Sequence, residues 1–370
     1  MLNFLKKITS KQLLFYTITI LAFAASMVFV HTNHSFYERP IAEIVKVQLI
    51  DQTEMVDQFQ NEDVQYTQVL TAVIKNGDEK GTQISLLNEY TSTKAYDHEF
   101  FVGDEIFVKI DENLKGTILE VKRDQYIVLV AWVFIFVLLF VGRKQGFLSI
   151  ISLVVNAALL SYALDVYITH SNWSLLLICS ISVILFTVIS LLLVNGLNEK
   201  TYAAIVATLL GTFLSLFITW FVLWITGEKG LRYEELQFIT RPYKVVFLSG
   251  LFLGSLGAVM DVAITMSSSI FSLYEKNHQI SVKSLITSGM EIGRDIMGTM
   301  TNILFFAYVS GSIPVLLLYF KNSSPFGFTL SMNLSLELAR ALAGGIGIVL
   351  TIPIGLYTTI YFVNRKRARA

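Results

Sequence analysis

The chain has 370 residues, of which 54% are hydrophobic and 15% are charged, and its mean hydropathy is +0.61. Soluble globular domains carry about 25% charged residues, so this composition excludes that class and indicates an integral membrane protein. The net charge is zero, yet residues 31–124 hold 18 of the 28 acidic residues and only 9 of the 28 basic ones. The chain therefore divides into an acidic segment and a basic, apolar remainder.

Long apolar runs recur along the chain. A helix that crosses about 30 Å of hydrocarbon needs about 20 apolar residues. Eight runs come close to that length: residues 13–30, 126–141, 147–167, 173–194, 202–225, 245–273, 303–320 and 341–363. They predict an all-α polytopic membrane bundle of about eight helices that lies in a lipid bilayer. The expected domains are an anchor helix at 1–30, an outer domain at 31–124 and a seven-helix membrane domain at 125–370.

The first run has two interpretations, a cleaved signal peptide or an uncleaved anchor. A run of about 18 apolar residues is long for a signal peptide, which favours the anchor. Cytoplasmic segments next to membrane helices are rich in Lys and Arg, so the basic clusters predict a multi-pass protein with both termini cytoplasmic. These clusters are Lys6, Lys7 and Lys11, then Arg143 and Lys144, and finally Arg365, Lys366, Arg367 and Arg369.

Residues 31–124 show the alternation of apolar and polar side chains that is typical of β-strands. It is clearest at 44–49, 69–74, 105–110 and 117–121, and turn residues separate the runs at Asn76-Gly77 and Gly103-Asp104. The pattern predicts a small, extracytoplasmic, β-barrel-like domain between the first and second helices. This domain has two possible roles. It is either a docking or gating module, or a solvated acidic cap that only stabilises the bundle.

Signatures of catalysis are lacking in the sequence. It contains no His-Glu-x-x-His motif, no Gly-x-Ser-x-Gly elbow and no phosphate-binding glycine loop, so we predict neither enzymatic activity nor a cofactor, and no nucleic-acid partner. Asp261 and Asp295 lie on different segments and could approach each other, as the paired aspartates of an intramembrane protease do, but the motifs around them do not match those of such proteases. His31 and His34 lack a clear third ligand, so we predict no metal site.

The sixth run carries one small and polar stripe. Ordinary small-residue packing accounts for its glycines, whereas a carboxylate at membrane depth is costly and indicates a function. The stripe recurs at intervals of three or four residues and consists of Gly250, Gly254, Gly257, Asp261, Thr265, Ser268 and Ser272.

A second polar stripe follows, with Glu291, Asp295, Thr299 and Asn302 at helical spacing and Arg294 beside them. Arg294 has two expected arrangements. It pairs with Glu291, which leaves Asp261 and Asp295 as two negative charges when ionised, or it lies between the two aspartates as a structural pair. The negative charge that the first arrangement leaves suits the binding of protons or cations.

The segment that contains the second stripe is too long for one straight crossing. Residues 285–320 would reach about 54 Å as an α-helix, so we expect a break. The inner candidates are Gly289, Gly293 and Gly298, and the outer ones are Gly311, Ser312 and Pro314. Interrupted helices are the usual architecture of binding sites in secondary transporters.

Two runs carry a resemblance to a known family. GSLGAVMDVA at 254–263 and SGMEIGRDIMGTMTN at 288–302 resemble the signature of the YibE/F family of bacterial multi-span membrane proteins. The likeness covers the chain from about residue 126, and the outer domain is similar in placement to that of the YibE-type members. The resemblance implies the bacterial plasma membrane and a paralogous YibF-type subunit as a partner. A homo-oligomer is the alternative.

Together these features predict a secondary transporter or permease, linked to protons or cations, that moves a small solute or ion. The alternative is a non-transporting assembly or sensory protein that works with a paralogous partner. The candidate substrate- or ion-binding residues are Asp261, Glu291, Arg294, Asp295, Thr265, Ser268, Thr299 and Asn302.

Overall fold

Two compact units make up the chain, Met1–Phe140 and Val141–Ala370. The computed structural model describes residues 10–94, 97–111, 115–170, 173–235 and 242–369, and within them the chain forms eight α-helices and five β-strands. Lys6, Lys7 and the side chain of Lys11, on which part of the orientation prediction depends, lie outside the described part.

The first unit contains helix α1, a five-stranded barrel and the beginning of helix α2. Helix α1 (Ser10–Thr32) continues into a 3-10 turn (Asn33–Phe36), and α2 begins at Asp124. The five strands between them are β1 (Ile41–Val56), β2 (Glu62–Ile74), β3 (Gln83–Thr91), β4 (Glu105–Ile110) and β5 (Lys115–Val121).

The strands close into a barrel in the order β1-β2-β3-β5-β4, in which β3 and β5 are parallel and the other pairs are antiparallel. Gly77 and Gly103 have φ angles of 78° and 98°, which only glycine adopts at little cost, so the two predicted turns are present. The prediction of a β-barrel is confirmed. The inward-facing residues form its core: Ala42, Ile44, Leu70, Ala72, Ile74, Ile84, Leu86, Phe100, Ile106 and Val108.

Helix α2 (Asp124–Thr169) has a sharp backbone break. It has 46 residues, which would reach about 69 Å as a straight helix, more than twice the thickness of a hydrocarbon layer. Arg143 has φ 47° and ψ −122°, outside the helical region, and divides the helix in two. The two parts correspond to the second and third apolar runs.

The second unit contains the remaining helices. They are α3 (Leu175–Asn195), α4 (Glu199–Thr226), α5 (Tyr243–Lys276), α6 (Val282–Ser310), α7 (Ile313–Lys321) and α8 (Phe326–Arg367). Helices α6 and α7 meet at a bend of 52°. The expected break is therefore present at Gly311–Ser312, and the prediction of a break at Gly289, Gly293 or Gly298 is wrong.

Helix α8 packs against α4, α5 and α6 through glycines. A methyl group on Gly289 would overlap the side chains of Leu356 and Ile270, and one on Gly293 would overlap Ile352. The glycines of α6 thus allow close helix packing and do not interrupt the helix. On α8, a methyl group on Gly344 would overlap Leu304 of α6 and one on Gly347 would overlap Val259 of α5, whereas Gly345 and Gly355 lie in ordinary contact with Thr301 and Met266.

Within the described residues, six helices are long and apolar enough to cross a membrane, and the bent α6–α7 pair makes a seventh candidate. These are α1, α2, α3, α4, α5 and α8. The chain thus has the helix content of a membrane protein, with the barrel between its first two helices.

Candidate functional site

The first polar stripe lies on the exposed side of α5. The opposite side of α5 packs into the unit through Val259, Val262, Met266 and Ile270, which are fully buried. Asp261 is exposed on the stripe, at the middle of this 34-residue helix and about 20 Å or more from either end. Thr265 and Ser268, one and two turns further along, are half-buried.

Helix α6 has two faces of opposite character. Leu285, Gly289, Gly293 and Leu304 are buried on the side that contacts α8. The other side is exposed and carries every predicted polar residue of this helix: Glu291, Arg294, Asp295, Thr299 and Asn302.

Helices α5 and α6 form an antiparallel hairpin, and two contacts define its register. Gly254 lies against the hydroxyl of Tyr308 near one end, and Gly289 lies against Ile270 near the other. Interpolation between them places Asp261 at about the depth of Thr299. By the same interpolation Thr265 lies at about the depth of Asp295, and Ser268 at about that of Glu291. The hairpin therefore brings the two predicted stripes to the same depths.

The four charged side chains have no ionic partner within the described part of the chain. Asp261, Glu291, Arg294 and Asp295 form no ion pair there. Neither expected arrangement of Arg294 is therefore present. The sequence interpretation expected these charges to be enclosed by protein, and the single chain instead presents them on an open face. We refer to this surface, from Asp261 to Ser268 on α5 and from Glu291 to Asn302 on α6, as the polar face.

A groove with apolar walls lies beside the polar face, between α6 and α8. Thr301, next to Asn302, lines it, and the Thr301 hydroxyl is buried without a hydrogen-bond partner in the described residues. The other lining residues are Phe305, Ala341, Leu342, Gly345, Ile346, Val349 and Leu350. This surface suits an apolar group and not a hydrated ion.

A second concentration of charge lies in the first unit, around Lys122. The Lys122 side chain is 1% exposed, and its Nζ lies 2.9 Å from Glu105 Oε2 and 3.0 Å from Asp124 Oδ1. Nζ also donates a hydrogen bond of 2.7 Å to the carbonyl oxygen of Val30 in α1. Three oxygen atoms thus surround an ammonium that has three N–H donors. Burial alone would lower the pKa of Lys122, but its bonds to the two carboxylates outweigh burial and raise it.

Further side chains complete this cluster. His34 Nε2 lies 2.6 Å from the second carboxylate oxygen of Glu105. Asn33 and Tyr37 donate hydrogen bonds to Asp124 Oδ2, at 2.9 Å and 3.1 Å. The sequence interpretation considers His34 only as a metal ligand and misses the cluster, because its members come from three distant stretches of sequence, residues 30–37, Glu105 and residues 122–124. A lysine directly after an apolar strand was the one available signal.

One carboxylate on the barrel has a strongly shifted pKa. Asp63 at the start of β2 accepts hydrogen bonds from the hydroxyls of Ser92, at 2.6 Å, and Thr93, at 2.8 Å. These bonds stabilise the ionised form and lower the pKa of Asp63 to about 2. The interaction connects β2 to the turn after β3.

Comparison with known proteins identifies the family. The model of the YibE/F-like protein family matches residues 130–365, and that of the YibE/F family N-terminal domain matches residues 35–121. No curated protein and no solved structure matches the chain. The two matches correspond to the helical part and to the barrel. The chain therefore belongs to the YibE/F family.

Proposed function

We propose that this chain is a membrane transport protein, a secondary transporter or permease linked to protons or cations, whose binding site is the polar face. The observation that carries the proposal is the set of charges on α5 and α6 that form no ion pair with any described residue. Asp261 lies at the middle of a span, and Asp295 lies 13 residues from the start of α6, about 20 Å along it. Charged groups at such depth are rare and usually line a pathway or a binding site.

The proposed setting is the plasma membrane of a bacterium, with both termini in the cytoplasm and the barrel outside. Eight crossings support it, since α2 counts as two spans on either side of Arg143 and α6–α7 as one. With an even number of crossings, the Arg143–Lys144 pair and the basic carboxyl end of α8 share one side with the amino terminus, as the distribution of cytoplasmic charge requires.

A second subunit is part of the proposal, because lipid is a poor environment for the open polar face. The face carries three carboxylates and one guanidinium, so it has two excess negative charges when all four groups are ionised. We propose that a second copy, or a paralogous family member, covers this face and encloses the excess carboxylates. An enclosed site of that charge suits protons or cations, with Thr265, Ser268, Thr299 and Asn302 as further ligands.

The open face also favours a second candidate function. A non-transporting assembly or sensory protein would use the same charges only to hold a paralogous partner. Transport requires that water or ions still reach the polar face when the partner subunit covers it. Assembly requires only that the partner subunit closes the face off from water and lipid.

Flux measurements test the proposal. The wild-type protein and the variants Asp261→Asn and Asp295→Asn are reconstituted into liposomes that contain indicator dyes for protons, Na⁺ and Ca²⁺. We expect both variants to fold and to lose flux, because each removes a carboxylate of the site. Glu275→Gln, on the exposed end of α5, is the matched control and should retain flux. Normal flux in both aspartate variants would reject the transport proposal.

Cross-linking and co-purification of tagged copies, or of a copy with a paralogue, separate the two candidates. If the aspartate variants keep the complex and lose flux, the charges serve transport. If they lose the complex and the wild-type protein moves none of the three ions, the assembly function is favoured.

A further inference from the structure

One end of the second unit carries an unusual excess of cations. At this end α4 and α6 begin while α5 and α8 end, and seven basic side chains surround it against two acidic ones, Glu199 and Glu275. The basic residues are Lys200, Lys276, Lys283, Arg365, Lys366, Arg367 and Arg369. We refer to these seven residues as the basic end.

Direct contacts hold the four helix termini together. Arg367 of α8 donates a hydrogen bond of 2.5 Å to the carbonyl of Ile280, in the turn between α5 and α6, and its guanidinium lies 5.1 Å from the centre of the Tyr274 ring. Ser267 of α5 donates to the carbonyl of Lys200 in α4, at 2.6 Å. The cations therefore belong to one surface and not to four independent tails.

Among the described residues, most of these cations have no acidic partner. Arg369 Nη1 lies 3.7 Å from Glu199 Oε1. Arg367 binds the backbone, and the other five form no ion pair in the described part of the chain: Lys200, Lys276, Lys283, Arg365 and Lys366. Four of these five are exposed. The Lys366 ammonium lies 5.8 Å from the centre of the Phe271 ring, which holds it beside the helix ends.

The recess at this end does not by itself explain an anion site. Asn198, Glu199, Lys200, Phe271, Glu275 and Lys366 line it, so its two cations are balanced by two carboxylates. The excess charge lies instead around the rim, on Lys276, Lys283 and Arg365. A ligand that matches it must present several anionic groups across the whole end of the bundle and not one phosphate in a pocket.

We propose that the basic end binds the headgroups of anionic phospholipids in the leaflet that it faces. The cations encircle the ends of four apolar helices, which is the depth at which lipid phosphates lie when those helices span a bilayer. Each Lys or Arg near an anionic membrane surface contributes about five-fold to affinity. The proposal depends on membrane insertion and not on transport.

Native mass spectrometry of the full-length protein in detergent tests this proposal, with phosphatidylglycerol and phosphatidylcholine titrated separately. The variant combines Lys283→Gln, Arg365→Gln and Lys366→Gln, three exposed residues whose loss leaves no buried charge. Its affinity for phosphatidylglycerol should fall about 100-fold, and its affinity for phosphatidylcholine should not change. The control variant combines Lys229→Gln, Arg232→Gln and Lys321→Gln, which replace exposed residues at the opposite end of the bundle. Its affinity for phosphatidylglycerol should fall less than three-fold.

Three results would overturn the proposal. They are an equal loss of phosphatidylglycerol affinity in the control variant, equal affinity of the wild-type protein for both lipids, and displacement of phosphatidylglycerol by inorganic phosphate at matched concentration. The variant with Lys283→Arg and Lys366→Arg keeps the charge and should bind phosphatidylglycerol as the wild-type protein does.

Discussion

Replacing Lys122 with methionine removes the ammonium and keeps a side chain of similar length. The substitution leaves the carboxylates of Glu105 and Asp124 facing each other without the intervening cation, and the Val30 carbonyl loses its donor. We expect the first unit to be strongly destabilised, since a buried charge that loses its partner is costly.

The magnitude follows from the burial of the three groups. Removing one partner of a buried ion pair costs about 3–5 kcal/mol. The Glu105 and Asp124 side chains are 13% and 21% exposed and retain His34, Asn33 and Tyr37 as partners, so we expect the lower end, about 3 kcal/mol. Domains have only about 5–15 kcal/mol of stability, so this is a large loss.

Hydrogen exchange of the full-length protein in detergent measures the effect. Every 1.4 kcal/mol corresponds to a factor of about ten, so peptides from β4 and β5 should exchange about 100-fold faster in the Lys122→Met variant. Because the pKa of Lys122 is raised, its contribution is complete below the ordinary lysine value of about 10.4 and is lost as the pH rises through the folded value. The difference from wild type should therefore persist across neutral pH.

Lys75→Met provides the matched control within the same barrel. Lys75 pairs with Glu43, but both side chains are about one third exposed, at 34% and 33%. Surface pairs contribute about 0–1 kcal/mol, so exchange should accelerate less than about five-fold. Equal acceleration in the two variants would show that the Lys122 cluster contributes no more to the stability of the barrel than a surface pair does, and would refute this prediction.

Two further predictions follow from packing and from titration. Gly293→Ala should lower the thermal unfolding midpoint, because its methyl group overlaps Ile352 and overpacking costs about 1–3 kcal/mol. Gly298→Ala is the control, because no atom lies within 4 Å of the added carbon. It should raise the midpoint, since alanine has a higher helix propensity than glycine. A drop as large as that of Gly293→Ala would contradict this explanation. The Asp63 carboxyl should titrate near pH 2 in an NMR experiment, and the hydrogen bonds from Ser92 and Thr93 should persist above the ordinary value of about 3.9 and be lost as the pH falls towards 2. A midpoint at the ordinary value would refute the proposed hydrogen bonds.

Much of the barrel could be predicted from alternation, and its one missed strand shows the limit of that signal. Strand β3 buries Ile84, Leu86 and Tyr90 but exposes Leu87, so its pattern of residue types does not alternate although its burial nearly does. Local pattern alone does not separate an exposed leucine from a buried one, and β3 becomes recognisable only through its pairing with β2.

The sequence also predicted which residues of α5 and α6 share a face, but not the direction of that face. The direction depends on where α8 packs, and α8 is distant in the sequence. The sequence predicts a helix break at Gly293 because glycine occurs both at breaks and at close helix contacts, and only the partner side chain of Ile352 shows which of the two applies. The Lys122 cluster was missed for a similar reason, since Val30 is 92 residues away.

The position of Lys122 has a mechanical consequence. One ammonium connects the carboxyl end of α1, the first residue of β4 and the first residue of α2. A displacement of the barrel must therefore pull on both flanking helices at once. Any molecule that binds the barrel and tilts it would transmit that movement to two helix ends through this ammonium and the hydrogen bonds around it.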